Sequence, residues 1–161
     1  MNPGAPNEIR QLYWEDLEPG LAESSPARTL GEADLLAFAG LSGDFNAIHM
    51  DAVHAAELGL GNDRLLHGIL GLSVASGLFT RTALGSGMQR QLVAMLSIEW
   101  RFTGPLRIGD TVHVEAEIGE RRPTRKPQRG VVEIARRLVN QRGETVQEGK
   151  TTMMIRRREE L

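Results

Sequence analysis

One segment limits the folds open to this chain more than any other. From Ile69 to Leu84 the side chains of Ile69, Leu70, Leu72, Val74, Ala75, Leu78 and Phe79 leave almost no polar side, and no proline interrupts them. The run is too long for an ordinary strand. A helix that is apolar all round belongs inside a core, so the rest of the chain must wrap it. The residues after Met88 have the right character. "LVAMLSIEWRF" reads as a strand. "TVHVEAEIGE" alternates strictly, with Val112, Val114, Ala116 and Ile118 on one face and His113, Glu115 and Glu117 on the other. "GVVEIARRLVN" and "ETVQEGKTTMMIRR" are two further strands, joined by the hairpin signal "QRGE". Helices first, then an antiparallel meander around one buried helix, is an α+β arrangement.

The first half reads as short elements. "IRQLYWEDLEPG" is an extended segment closed by a turn at Pro19-Gly20. Thr29 and Glu32 have capping-box spacing ahead of a helix from Glu32 to Ala39, stopped by Gly40 and Gly43. "DAVHAAELG" is a second short helix, with Asp51 as its cap and Gly59 as its stop. "GNDRLLHG" is a loop, and "RRPTRKPQRG" a basic, proline-bearing connection. The 161 residues suffice for one core. The expectation is a single domain over 1–161, with 1–8 a flexible lead and 156–161 a charged tail.

Charge and composition remove several function classes. A formal net charge of −2 gives no overall basic field for nucleic acid or an anionic membrane. The chain has no cysteine, which excludes a disulfide framework, a thiolate metal site and a cysteine nucleophile, and suits the cytoplasm. "MNPGAPNEIR" lacks the pattern of a signal peptide, and no apolar run approaches the ~18 residues of a membrane span. "GLGND" and "GSGMQRQ" match neither the dinucleotide nor the P-loop pattern, so no nucleotide cofactor is indicated. Ser73 and Ser76 lie on the buried helix outside any Gly-x-Ser-x-Gly, which leaves a nucleophile elbow unsupported.

Two stretches carry chemistry. "LSGDFNAIHMD" sets Asp44, Asn46 and His49 among small and apolar residues. An imidazole titrates near neutrality, and a carboxylate beside it can share and orient one water. Spacing alone favours a turn capped by Asp44 and a core histidine at His49, with Asn46 as an ordinary turn residue. In "LLHGILG", His67 and Gly68 precede the buried helix. Unpaired N–H groups and a partial positive charge mark that helix end, and a glycine lets a carbonyl oxygen approach the backbone, as an oxyanion hole requires. Gly68 serves equally to open a tightly packed helix. Asp44, His49, His54 and His67 match no zinc or iron spacing, so no metal is expected.

Taken together, Ser42-Gly43-Asp44-Phe45-Asn46-Ala47-Ile48-His49 and His67-Gly68-Ile69-Leu70 resemble the hydratase motifs of the MaoC-like dehydratase family, and within it those of the (R)-specific enoyl-CoA hydratases. Ala47 stands where proline is usual, which removes no chemical group. The resemblance is best from about Leu30 to Ile118 and includes "FTGPLRIGDTV". It implies a hot-dog fold, a long central helix wrapped by an antiparallel sheet, and a homodimer. It implies Asp44 and His49 as the catalytic pair, Asn46 as a loop-ordering residue, the Gly68 N–H as the thioester oxyanion site next to His67, and Ser76 as a site serine. The implied substrate is a trans-2-enoyl thioester of coenzyme A or an acyl carrier, hydrated to the (3R)-hydroxyacyl product or formed by the reverse dehydration, with no cofactor. A hot-dog thioesterase and a non-catalytic acyl-CoA-binding protein share the fold and are the alternatives.

Overall fold

The computed structural model describes residues 10–60 and 64–158. Short strands β1 (Ala22–Ser24) and β2 (Arg28–Thr29) precede helices α1 (Glu32–Ser42), α2 (Ala47–Met50), α3 (Ala52–Glu57), α4 (Gly68–Phe79) and α5 (Ala83–Met88). The chain then runs through β3 (Leu92–Phe102), β4 (Thr111–Pro123), β5 (Arg129–Asn140) and β6 (Thr145–Arg156). All pairings are antiparallel, in the order β1-β4-β5-β6-β3, with β2 also on β4. This is a hot-dog fold: the sheet curls around α4, which packs on β4 and β5.

The alternation read from the sequence is what makes this possible. Val112, Val114, Ala116 and Ile118 of β4 are buried, with Ile134 and Leu138 of β5 and Met153 and Ile155 of β6 in the same core. They meet Leu70, Val74, Ala75, Leu78 and Phe79 of α4. The hairpin between β5 and β6 turns at Gly143, whose φ of 77° only glycine adopts without strain.

Several boundaries differ from those expected. The run from Ile69 to Leu84 is two helices, not one. Thr82 breaks it: its hydroxyl accepts from the Gly85 N–H at 2.9 Å and caps α5. Nor is α4 apolar and buried all round, because Ile69, Ser73 and Gly77 form an exposed line at i, i+4, i+8. Helix α1 passes Gly40 and Ser42 and stops only at Gly43, in the left-handed region at φ 76°. Its capping carboxylate is Asp34, which accepts from the Gly31 N–H at 2.9 Å, so Thr29 and Glu32 are not the capping pair. Thr29 sits in β2, its hydroxyl 2.7 Å from that of Thr111. The Asp51 cap and the Gly59 stop are as expected, with φ 74° at Gly59.

"IRQLYWEDLEPG" holds a 3₁₀ turn at Trp14–Asp16 rather than an extended segment. The basic connection is shorter than expected, since β4 runs through Pro123 and β5 resumes at Arg129. Part of the charged tail is not free: Arg157 and Arg158 pair with Glu15 and Asp16. The 1–8 lead, the end of the tail and part of "GLGND" lie outside the described residues. Among the described residues no helix is long and apolar enough to cross a membrane.

Candidate functional site

The turn from α1 into α2 is built by its own short polar side chains. The Ser42 hydroxyl donates to the Phe38 carbonyl at 2.7 Å and accepts from the Asp44 N–H at 3.2 Å. Asp44 Oδ1 accepts from the Asn46 N–H at 3.2 Å, and Asn46 Oδ1 accepts from the Ile48 N–H at 3.3 Å as the cap of α2. Each step is a local side-chain bond that replaces a missing backbone one. The second oxygen of Asp44 lies 3.9 Å from His67 Nε2, on a side chain that is 52% exposed.

His49 is oriented by the loop before α4. Its Nδ1 lies 2.8 Å from the Leu65 carbonyl. A carbonyl only accepts, so Nδ1 carries a proton, and a neutral ring so held has its lone pair at Nε2. His67, the residue before α4, is 2% exposed and stacks on His49 with ring centroids 3.8 Å apart and an interplanar angle of 27°. Its Nε2 lies 2.9 Å from the Asp44 backbone carbonyl, and by the same reasoning donates to it. Phe38 of α1 also packs against His67, tilted at 53° with ring centroids 5.1 Å apart. His67 thus joins the Asp44 turn to the start of α4.

Asp44, His49 and His67 each offer a ligating atom, all within 4.8 Å of one another. Among the described residues this is the one group whose chemistry could hold a metal ion, as one carboxylate and two imidazoles. The bonds to Leu65 and Asp44 already engage one nitrogen of each ring. A separation of this size between Asp44 and His49 is also what two groups sharing one water require, since each bond to the water spans about 2.6–3.2 Å.

Gly68 opens α4 directly beside this cluster. A Cβ there would come within 2.9 Å of the Phe102 ring on β3, so glycine is a packing requirement as well as an opening for a ligand. Its carbonyl accepts from Gln147 Nε2 at 3.0 Å, while Gln147 Oε1 accepts from Trp100 Nε1 at 2.9 Å. Asp44, Asn46, His49, His67 and Gly68 therefore form one neighbourhood. Ser76 stands two turns further along α4 and receives a bond from Arg136 Nη1 at 3.5 Å.

Two polar residues of this inner layer were not singled out by the sequence patterns. Gln147 and Arg136 are each 1% exposed. A signal for Arg136 is present, because it alternates with Ile134 and Leu138 in "IARRL" and so falls on the buried face of β5.

Comparison with known proteins agrees with this fold. Residues 20–140 match the family model described as MaoC like domain. The chain is 40% identical over 124 residues to Protein MaoC of Klebsiella aerogenes, covering 76% of this chain but 35% of that protein. It is 30% identical over 143 residues to an (R)-specific enoyl-CoA hydratase of Rhodospirillum rubrum, covering 89% of this chain and 91% of the relative. Among solved structures, the fold is similar to a monoamine oxidase regulatory protein from Archaeoglobus, with a TM-score of 0.85 and 30% identity over 93% of this chain and 97% of that one. It is also similar to a Mycobacterium tuberculosis protein with a double hotdog fold, with a TM-score of 0.80 and 20% identity over 94% of this chain and 46% of that one.

Proposed function

Because the chain belongs to the MaoC-like dehydratase family, we propose that it is a hydro-lyase that adds water to a trans-2-enoyl thioester to give the (3R)-hydroxyacyl product, or removes it in reverse. The observation that carries this reading is the gathering of Asp44, His49 and His67 within 4.8 Å, with His49 oriented by its Nδ1–H bond to the Leu65 carbonyl. Asp44 and His49 hold one water over C3 of the substrate. The thioester oxygen rests at the N-terminal end of α4, on the Gly68 N–H, where donors and the helix dipole stabilise the enolate charge. The water oxygen bonds to C3 as the C2–C3 π bond shifts toward the carbonyl. The proton that the water gives up passes through the pair, and one proton is returned at C2. The product is the substrate plus one water, and both side chains end as they began.

The working unit we propose is a homodimer joined along β3. Among the described residues that strand pairs with β6 on one side only, and Leu92, Met95, Leu96, Ile98 and Phe102 on it are exposed. A long apolar edge strand left open invites pairing with a second copy. Phe102 also touches the Gly68 end of α4, so such a partner would border the site.

The test is the enoyl-thioester absorbance on mixing with crotonyl-CoA and then longer enoyl-CoAs, with product stereochemistry read by a chiral assay. Loss of the band with a (3R) product is expected. Asp44→Asn and His49→Ala should each lower turnover on the order of 10²–10⁴-fold. Release of free thiol without hydration would instead identify a thioesterase. Acyl-CoA binding with no conversion of any chain would identify a binding protein.

A further inference from the structure

Arg136 is a cation that the proposed hydration does not use. It lies inside the sheet, 1% exposed, between Ile134 and Leu138 on β5. Among the described residues its one side-chain hydrogen bond is the 3.5 Å contact from Nη1 to the Ser76 hydroxyl on α4. Its guanidinium sits over the rings of Phe79 at 5.4 Å and Trp100 at 5.8 Å. Nε and Nη2 are buried without a hydrogen-bond partner, and Arg136 takes part in no ion pair among the described residues. A buried charge is normally paired, because an unpaired one loses its hydration with nothing in return. Burial lowers the guanidinium pKa to about 10, so it remains a cation at neutral pH.

Its place relative to the proposed reaction centre gives this cation a use. Ser76 follows Gly68 by eight residues on the same helix, about 12 Å at 1.5 Å rise per residue. An acyl chain that runs from a thioester at Gly68 along α4 would bring its far end to Ser76 and Arg136. We propose that Arg136, with Ser76, is a specificity residue that receives a carboxylate carried at the far end of the acyl chain. The substrate class is then a carboxylated enoyl thioester rather than a plain fatty acyl one. Two adjacent N–H donors suit a carboxylate better than a hydroxyl, because the planar fork of arginine binds both oxygens. This inference rests on the proposed acyl-thioester site, but it is tested by binding and so does not depend on turnover.

The experiment is calorimetric titration of the protein with pairs of saturated acyl-CoAs of equal chain length, one ending in a methyl and one in a carboxylate, over several lengths. At the fitting length the carboxylated member should bind about 10- to 100-fold more tightly, the effect of a charged hydrogen bond. Arg136→Met should abolish or reverse that preference, and Arg136→Lys should retain part of it. Methionine at a buried ionic position is commonly tolerated, so the variant should fold. The wild-type comparison needs no variant at all. Equal or weaker binding of the carboxylated member at every length would overturn the proposal. So would a preference that survives intact in Arg136→Met. Enoyl-CoA turnover measured alongside judges the hydratase reading separately: hydration without carboxylate preference sinks only the inference. A carboxylate preference without hydration of any chain sinks only the reaction.

Discussion

Gln147 on β6 donates from Nε2 to the backbone carbonyl of Gly68 at 3.0 Å, and so ties the first residue of α4 to the sheet. The same amide accepts from Trp100 at 2.9 Å, which fixes its orientation. Gly71, one turn on, leaves the volume that this amide fills, because a Cβ there would collide with the Gln147 side chain. Gly71→Ala should therefore displace the amide and strand the Trp100 N–H. The expected cost is about 1–3 kcal/mol, or a fall in melting temperature of roughly 2–4 °C per kcal/mol for a chain of this size. Thermal unfolding of Gly71→Ala, Gln147→Ala and the double variant checks it. The two effects should be strongly non-additive, because both break one contact.

His67 is expected to act by position rather than by touching substrate. It donates to the Asp44 carbonyl and stacks on His49, so it fixes both members of the proposed pair. His67→Phe keeps a ring for the stack and removes the donor. Turnover should fall about tenfold to a hundredfold, the scale of a small misplacement of reacting groups, with KM little changed. Steady-state kinetics on an enoyl-CoA separate the two constants. An equal loss in KM would show that His67 bears on binding instead.

These two contacts also mark the limit of what the sequence made legible. The strands were readable from their alternation and β-rich composition, most directly at β4, where period-two patterning reports a half-buried sheet, although β4 runs on to Pro123. The turn bonds of Asp44 and Asn46 run between near neighbours and suit a local motif, whereas the His49 side chain is held by Leu65, sixteen residues on. The stack of His67 on His49 was not, since it depends on two separate loops meeting. The helix ends failed for a local reason. Thr29-Glu32 and Gly31-Asp34 both have the spacing of a cap, and pairing of β2 with β4 removed the first from the contest. Thr82 hid the break between α4 and α5, because a threonine cap inside an apolar run looks like a tolerated helix residue.

The N-terminal turn gives stability a pH dependence of definite sign. Burial opposes ionisation of Glu15 and Asp16, yet bonds from Arg157 and the Arg158 N–H to Glu15, and from Arg158 and the Tyr13 N–H to Asp16, outweigh it. Both carboxyls are held below their ordinary values of 4.5 and 3.8. A depressed folded pKa contributes stability that is complete above the unfolded value and is lost as pH falls through the folded one. Arg158→Ala should therefore lower the melting temperature at neutral pH, and the gap from wild type should close as the pH drops below about 4. Melting curves of both proteins across that range test it. Trp14 lies in the same turn, with its indole N–H on the Val131 carbonyl at 3.0 Å, so its fluorescence should follow the release.

The open edge of β3 should couple assembly to activity. Leu96 and Ile98 are 47% and 42% exposed on a strand whose outer backbone edge has no strand partner among the described residues. A lysine on such an edge is a common way of preventing strand-to-strand association. Leu96→Lys/Ile98→Lys should therefore convert a dimer to a monomer in sedimentation, with little loss of protomer folding by circular dichroism. Activity should fall with the dimer, because Phe102 on this strand packs against the Gly68 end of α4 and a partner seated there would border the Asp44–His49 pair. Raising the concentration of a weakened variant should restore dimer and activity together, as mass action requires. A wild-type protein that sediments as a monomer at every concentration, yet hydrates its substrate, would place the whole site within one chain and remove β3 from the mechanism.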